Sequence, residues 1–170
     1  MFRTALCLAF CASTLPAFAD DQTAAMQAFL DNEIRDWANN QVLIDAIRAQ
    51  NGTTGGYSQA DIDALDQAWR AEVGAAARPP IDPVLEHAAS EYLRGIVAAA
   101  GGTITEVFVM DARGLNVAAS AVTSDFWQGD EAKFSETYPA GPEGVHFSEI
   151  EFDESSQSYQ GQISISIVDP

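Results

Sequence analysis

The spacing of apolar residues along the chain changes after residue 100. Before it, apolar residues recur near the helical period of about 3.6, beginning with Met26, Leu30 and Ile34. After it, apolar and polar residues alternate, and in "SYQGQISISIV" at residues 158–168 isoleucine and serine point to opposite faces. Helices followed by antiparallel strands predict an α+β fold with the helices on one face of the sheet.

The first part of the chain predicts three helices. The first contains the apolar residues from Met26 to Ile47 and ends at the glycine-rich loop "NGTTGGYS" at residues 51–58. The second and third begin where a polar side chain can cap the free N–H groups of the first turn. The residues expected at these ends are Ser58 and Asp61 for the second helix, Asp82 and Pro83 for the third, and Gly101 and Gly102 at its end.

The second part predicts four strands in two hairpins. They are "ITEVFVMD" at 104–111, "LNVAASAV" at 115–122, "VHFSEIEFD" at 145–153 and "SYQGQISISIV" at 158–168. The apolar parity of the third changes from Val145 and Phe147 to Ile150 and Phe152, which indicates a bulge or a strong twist. Gly114 is suited to the positive φ of the first hairpin turn. A short helix, "EAKFSETY" at 131–138, is expected between the hairpins.

The connection between the hairpins, "VTSDFWQGDEAKF" at 122–134, mixes residues that prefer different surroundings. Phe126 and Trp127 are costly to expose to water, and the carboxylate of Asp125 is costly to bury without a partner. One interpretation is that the segment forms a wall of a small-molecule pocket, with Lys133 as a polar contact. The other is that its aromatic residues anchor a loop to the core while Asp125 caps a turn.

The amino-terminal residues predict a secretory signal peptide. Arg3 precedes an apolar run, and Ala17-Phe18-Ala19 matches a cleavage site, so that residues 1–19 would be removed. The run is shorter than the roughly 20 residues that span a bilayer. Cys7 and Cys11 both lie in this segment, so the mature, exported chain would contain no cysteine.

Composition and motifs narrow the range of possible functions. The 170 residues suffice for one domain, and the net charge of −17, from 25 acidic against 8 basic residues, argues against nucleic acid or anionic membranes as partners. No catalytic or cofactor-binding motif is present, so we predict no enzyme activity and no cofactor. His87 and His146 are expected to be structural. Asp61, Asp63 and Asp66 are expected on a solvated helix face, because they lack the glycine of a calcium loop.

The second half of the chain also resembles a known family. "EVFVMDARGLNVAASAVTSDFWQGDEAKF" and "VHFSEIEFDESSQSYQGQISISIVDP" resemble periplasmic PDC/Cache-type sensor domains, as do "LIDAIRAQN" and "SQADIDALDQAWRAEV" upstream. The resemblance covers residues 31–170. It implies a PAS-like antiparallel sheet, formed by residues 101–170, that makes one domain with the helical residues 20–100. A long amino-terminal helix would lie on one face, and a small ligand would bind on the other.

The function implied by this resemblance is that of a periplasmic sensor. Trp127 and Phe126 would form an apolar wall, and Asp125 or Lys133 would supply directional contacts to a small metabolite such as an organic acid or amine. Occupancy would be passed to a membrane-bound receptor or kinase, and two copies could pair through the long helix. The alternatives are a structural or protein-interaction module without a pocket, and an exported hydrolase with two converging carboxylates.

One departure from the family concerns the number of strands. Such domains usually continue beyond a "DP" into a fifth, central strand, whereas this sequence ends at Asp169 and Pro170. Either a final strand is missing from the sequence, or another chain fills the gap by strand addition.

Overall fold

A computed structural model describes residues 16–153 and 158–169. The predicted signal peptide lies largely outside these residues, and both cysteines and residues 154–157, between the third and fourth predicted strands, lie entirely outside them. The described part of the chain is α+β, as predicted, with helices preceding short antiparallel strands.

The helices occupy the first hundred residues. They are α1 (Pro16–Phe29), α2 (Arg35–Ala38), α3 (Gln41–Thr54), α4 (Gln59–Glu72), α5 (Asp82–Leu85) and α6 (Ala88–Ala99), with a π-helical turn at Leu30–Ile34 that joins α1 to α2. The expected first helix is interrupted before α3, because the Asn40 side chain accepts the N–H of Val42 at 3.0 Å and starts a new helix. The loop predicted at 51–58 begins later than expected, since α3 continues to Thr54.

Two predicted helix starts have different outcomes. Ser58 caps α4 as predicted, and together with Asp61 it forms a reciprocal capping box. The start at Asp82 is wrong for the long third helix: Asp82 lies inside the short α5, and α6 begins after His87, whose Nδ1 accepts the N–H of Ala89 at 3.1 Å. The helix breaks here because side chains of α6 bind the last carbonyl groups of α5. Ser90 Oγ donates to Val84 O at 2.6 Å, and Arg94 Nη1 donates to Leu85 O at 2.8 Å.

The strands are shorter and more numerous than predicted. They are β1 (Phe108–Met110), β2 (Asn116–Ala119), β3 (Val145–Phe147), β4 (Glu151–Asp153), β5 (Ser158–Gln160) and β6 (Ile163–Ile165), with α7 (Ala132–Ser135) and a 3₁₀ segment (Tyr138–Glu143) after β2. They form three two-stranded antiparallel sheets, β1–β2, β3–β6 and β4–β5, and within the described residues no strand joins these into one sheet. The third predicted strand divides into β3 and β4 where its apolar parity changes, and the fourth divides at Gly161 and Gln162.

The core lies between the helices and the first sheet. α3 and α6 pack on β2, all four residues of which are buried. The buried cluster comprises Leu43, Ala46, Ala89, Leu93, Val109, Val117 and Ala118, with Val107 and Ile167 packed against it. Burying each leucine contributes about 1.5–3 kcal/mol. The helices therefore cover one face of β1 and β2, and the connection at 122–134 leaves from the end of this hairpin.

Candidate functional site

The connection at 122–134 runs beside the first hairpin like a short third strand. Phe126 O accepts the N–H of Asn116 at 3.0 Å, and the N–H of Gln128 donates to Gly114 O at 2.8 Å. Trp127 forms a single antiparallel bridge with Leu115. The position of the segment is thus fixed by backbone bonds to β2 and to the turn before it.

Asp66 on α4 holds the same segment from the other side. It is only 9% exposed, and its Oδ1 accepts the N–H groups of both Phe126 at 2.8 Å and Trp127 at 3.0 Å. Its Oδ2 accepts from Arg70 Nε at 2.6 Å. The expectation that Asp66 lies on a solvated helix face is therefore wrong. The arginine four residues along α4 is a weak signal that could have indicated a paired carboxylate.

The two aromatic residues of the connection lie against the protein. Phe126 stacks on Trp69, with ring centroids 5.2 Å apart, and the fully buried Trp69 donates its indole N–H to Thr123 O at 2.9 Å. Trp69 thus packs on the connection. Trp127 donates its indole N–H to Arg113 O at 2.9 Å. Neither Phe126 nor Trp127 lines either of the two cavities described below.

Two glycines make room for the Trp127 ring. Gly114 has φ +78°, as the predicted hairpin turn requires, and a Cβ there would lie 2.6 Å from the Cα of Gly129. A Cβ on Gly129 would collide with the indole of Trp127. Because a larger residue at either position would displace backbone or ring, the indole is clamped at this turn.

Asp125 and Lys133, the two polar residues predicted for the site, line the same small cavity. Its volume is about 200 Å³, and its other lining residues include Glu106, Phe108 and Gln128. Lys133 is the only lysine in the sequence, and its side chain is 16% exposed. Its Nζ lies 5.3 Å from the centroid of the Phe108 ring, within the range of a cation–π contact.

A chain of polar contacts crosses this cavity. Lys133 Nζ donates to Gln128 Oε1 at 2.9 Å and pairs with Glu131 Oε2 at 2.8 Å. The amide nitrogen of Gln128 in turn donates to Asp125 Oδ1, and Asp125 Oδ2 lies 3.2 Å from Arg70 Nη2. Gln128 therefore connects the two predicted contacts, and the sequence reasoning missed it because an isolated glutamine carries no chemical signature.

Glu106 adds a titratable group to this cavity. Burial raises the pKa of its carboxyl group above the ordinary value, and the nearby Lys133 ammonium partly opposes that increase. The cavity thus contains a cation, a carboxylate and a carboxyl group that binds its proton more tightly than usual.

A second, larger cavity forms a cleft between the first and second sheets. Its volume is about 1170 Å³, and it is bounded by α1 and α3 on one side and by α7 on the other. Apolar side chains of α1, α3, β1 and β6 line it, including Met26, Ile44, Phe108 and Ile165. Glu106, Phe108 and Lys133 line both cavities, so the two adjoin along these residues.

Within residues 16–153 and 158–169, no group of three or more histidine, cysteine or acidic side chains is arranged to hold a metal ion. In the same part of the chain, no helix is long and apolar enough to cross a bilayer. Comparison of the chain with protein-family models, curated proteins and solved structures gives no match.

Proposed function

We propose that this protein is an exported, non-catalytic sensory domain of the PDC/Cache type that binds a small organic acid or amine beside Lys133. The observation that carries the proposal is the incomplete use of the N–H donors of Lys133. An ammonium group has three N–H donors; within the described residues Gln128 accepts one of them at 2.9 Å, and Glu131 forms an ion pair with the charge at 2.8 Å. We infer that the remaining donor capacity of Lys133 serves a ligand in the cavity.

The charges of the cavity suit a small polar guest. A ligand carboxylate would receive a charge-assisted hydrogen bond from Lys133, in competition with Glu131. A ligand amine would instead pair with Asp125 or Glu106. The volume of about 200 Å³ restricts the guest to a few heavy atoms, because one water molecule alone occupies about 30 Å³ in the liquid.

Phe126 and Trp127 support this site indirectly. Both were predicted as ligand contacts, and we now propose that they anchor the connection through Trp69 and the clamp at Gly114. The polar residues of the connection are thereby held in place before a ligand arrives, which reduces the entropy lost on binding.

Signalling would require a partner that distinguishes the occupied domain from the empty one. A membrane-bound receptor or kinase would respond only if its affinity differs between the two states. Lys133 is a suitable origin for such a difference, because it lies on α7 and contacts β1 through Phe108. Export of the protein follows from the predicted signal peptide.

Ligand titrations on two variants test the proposal. Isothermal titration of small carboxylates and amines should identify a ligand of wild-type protein, and Lys133→Met should weaken a carboxylate at least tenfold, since a hydrogen bond to a charged group contributes about 1.5–3 kcal/mol. Arg35→Met removes the same charge from exposed α2 and should bind like wild type. Equal affinity in Lys133→Met and Arg35→Met would contradict the proposed site.

Chemical modification gives an independent readout. Because Lys133 is the only lysine, reductive methylation can modify only this side chain and the amino terminus. A ligand found by titration should slow methylation of Lys133, followed by mass spectrometry, and leave that of the amino terminus unchanged. An unchanged rate at Lys133 under saturating ligand would place the ligand elsewhere.

A further inference from the structure

Arg113, in the turn between β1 and β2, differs from the other basic residues that the structure describes. Within residues 16–153 and 158–169, each of the others forms an ion pair with a carboxylate at 2.5–2.9 Å; they are Arg35, Arg48, Arg70, Arg78, Arg94 and Lys133. In the same ranges no ion pair engages Arg113. Acidic residues outnumber basic ones by 25 to 8 in this chain, so a base without an acidic partner is unexpected.

The neighbours of Arg113 fix its position. Its Nη2 donates to Tyr57 O at 3.0 Å, and its backbone N–H donates to Asp111 Oδ1 at 2.8 Å. The preceding residue is held as well, since the N–H of Ala112 donates to Asn51 Oδ1 at 2.8 Å. A guanidinium has five N–H donors, and only one of them has an acceptor within the described residues. The others can bind a carboxylate, which fits a guanidinium through two parallel hydrogen bonds.

Two aromatic residues from distant parts of the sequence adjoin Arg113. Trp127, in the connection at 122–134, donates its indole N–H to Arg113 O at 2.9 Å, and Tyr57 lies in the loop between α3 and α4. All three residues are half-buried, and none of them lines either cavity described above. Arginine, tyrosine and tryptophan are the residue types that most often dominate the binding energy of protein interfaces. Together, Tyr57, Arg113 and Trp127 form the turn surface.

The chemistry of the turn surface favours a protein over a small anion as its occupant. A free carboxylate would gain little from Arg113 alone, because ion pairs at an exposed surface are weak. A protein that also covers Tyr57 and Trp127 would exclude water from the ion pair and bury aromatic area. A second copy of this chain is a poor candidate, because molecules with a net charge of −17 repel each other.

We propose that the turn surface is a docking site for another protein, which places an aspartate or glutamate carboxylate on Arg113 and apolar side chains on Tyr57 and Trp127. Because the guanidinium is already held by Tyr57, little entropy is lost when the partner binds. The partner should carry little net negative charge apart from this carboxylate, since the whole chain is acidic. This interaction goes beyond the small-ligand site and does not require a ligand there.

Photocrosslinking beside the turn surface tests the proposal in the cells that naturally produce the protein. The photoreactive residue p-benzoylphenylalanine replaces Gly56, which is exposed and has open space for a side chain. Illumination should give one main adduct with another protein, identified by mass spectrometry. The same residue in place of Gly95 on α6, which is also exposed with open space, is the control and should not give that adduct.

Three arginine variants show whether the adduct depends on Arg113. Arg113→Met should lower its yield at least tenfold, because the carboxylate of the partner loses its charged hydrogen bonds. Arg113→Lys keeps the charge without the two parallel donors and should give an intermediate yield. Arg35→Met removes the same charge from exposed α2 and should give the wild-type yield. Thermal unfolding shows that each variant is folded.

A charge exchange between purified proteins tests the contact itself. The position of the adduct locates the acidic residue of the partner that faces Arg113, and this residue is replaced with arginine. The changed partner should bind the wild-type protein at least tenfold more weakly. Arg113→Glu should restore most of its binding, because the two charges are then exchanged rather than removed.

Four outcomes would overturn the proposal. Absence of an adduct from position 56 would show that no protein docks there, and a yield unchanged in Arg113→Met would show that Arg113 recognises nothing. An adduct of twice the chain mass would identify a second copy as the occupant. Failure of the charge exchange to restore binding would exclude the proposed ion pair. Lys133→Met should leave the adduct unchanged, so that the ligand site and the turn surface can fail separately.

Discussion

The Asp66 carboxylate provides the sharpest test of how the connection at 122–134 is positioned. Replacing it with alanine would remove the acceptor of two backbone N–H groups, those of Phe126 and Trp127. It would also remove the partner of Arg70 Nε. The exposed Asp63, one turn earlier on α4, is the matched control because its carboxylate accepts from the exposed Gln59 side chain rather than from the connection.

The expected loss of stability can be worked out from the hydrogen bonds that Asp66 accepts. A hydrogen bond to a charged group contributes about 1.5–3 kcal/mol, and a buried donor left without an acceptor costs about 1–3 kcal/mol. The ion pair with Arg70 adds little, because the Arg70 side chain is mostly exposed. We expect Asp66→Ala to lower the free energy of unfolding by about 3 kcal/mol. In a domain of this size that corresponds to about 6–12 °C in Tm.

The assay is urea denaturation of Asp66→Ala, Asp66→Asn and Asp63→Ala. Asp63→Ala should lie within about 0.5 kcal/mol of wild type. Asp66→Asn keeps one acceptor oxygen without the charge and should fall between wild type and Asp66→Ala. Native-state hydrogen exchange should show faster exchange at the amides of Phe126 and Trp127 in Asp66→Ala. Equal stability of Asp66→Ala and Asp63→Ala would refute the reasoning.

Three further sets of variants test other parts of the structure. Gly129→Ala should destabilise by more than about 2 kcal/mol, because its Cβ collides with the Trp127 indole, whereas Gly95→Ala in α6 has open space and should stabilise by about 0.5–1 kcal/mol in thermal unfolding. His87→Ala should cost about 1 kcal/mol in urea denaturation through loss of the α6 cap, and His87→Ser should restore most of it; equal losses would contradict the cap. The raised pKa of Glu106 means that the folded state binds its proton more tightly than the unfolded chain does. The stability that the protonated carboxyl group contributes is therefore present at low pH and is lost as pH rises through the folded-state pKa. Glu106→Gln should therefore gain stability relative to wild type as pH rises above the ordinary glutamate pKa of about 4.3, and a difference in urea denaturation that stays constant with pH would contradict it.

Features that depend on neighbours in the sequence were predictable. Ser58 could be predicted as the cap of α4 and Asp61 as a carboxylate in its first turn, because both signals lie within four residues. Gly114 could be placed at the hairpin turn because few residues tolerate its positive φ. The break between β3 and β4 was indicated by the change in apolar parity between Phe147 and Ile150.

The candidate site was predictable only in part. Asp125 and Lys133 were selected for their charge in an otherwise aromatic connection, and both line the small cavity. The directions of Phe126 and Trp127 could not be predicted, because they depend on Trp69 and Arg113, which lie far away in the sequence. Alternation in the chain shows that a residue faces inward but does not show which element it meets there.

The sequence by itself determined the order of helices and strands, the main turn and the acidic, aromatic character of the connection, because these follow from local periodicity and backbone preference. Only the tertiary structure decided that Asp66 is buried beneath that connection, that α5 ends at the side chains of α6, and that β1 and β6 face each other across an open cleft. Those outcomes depend on hydrogen-bond partners that lie far apart in sequence, and a polar group is costly or stabilising according to whether folding brings it such a partner.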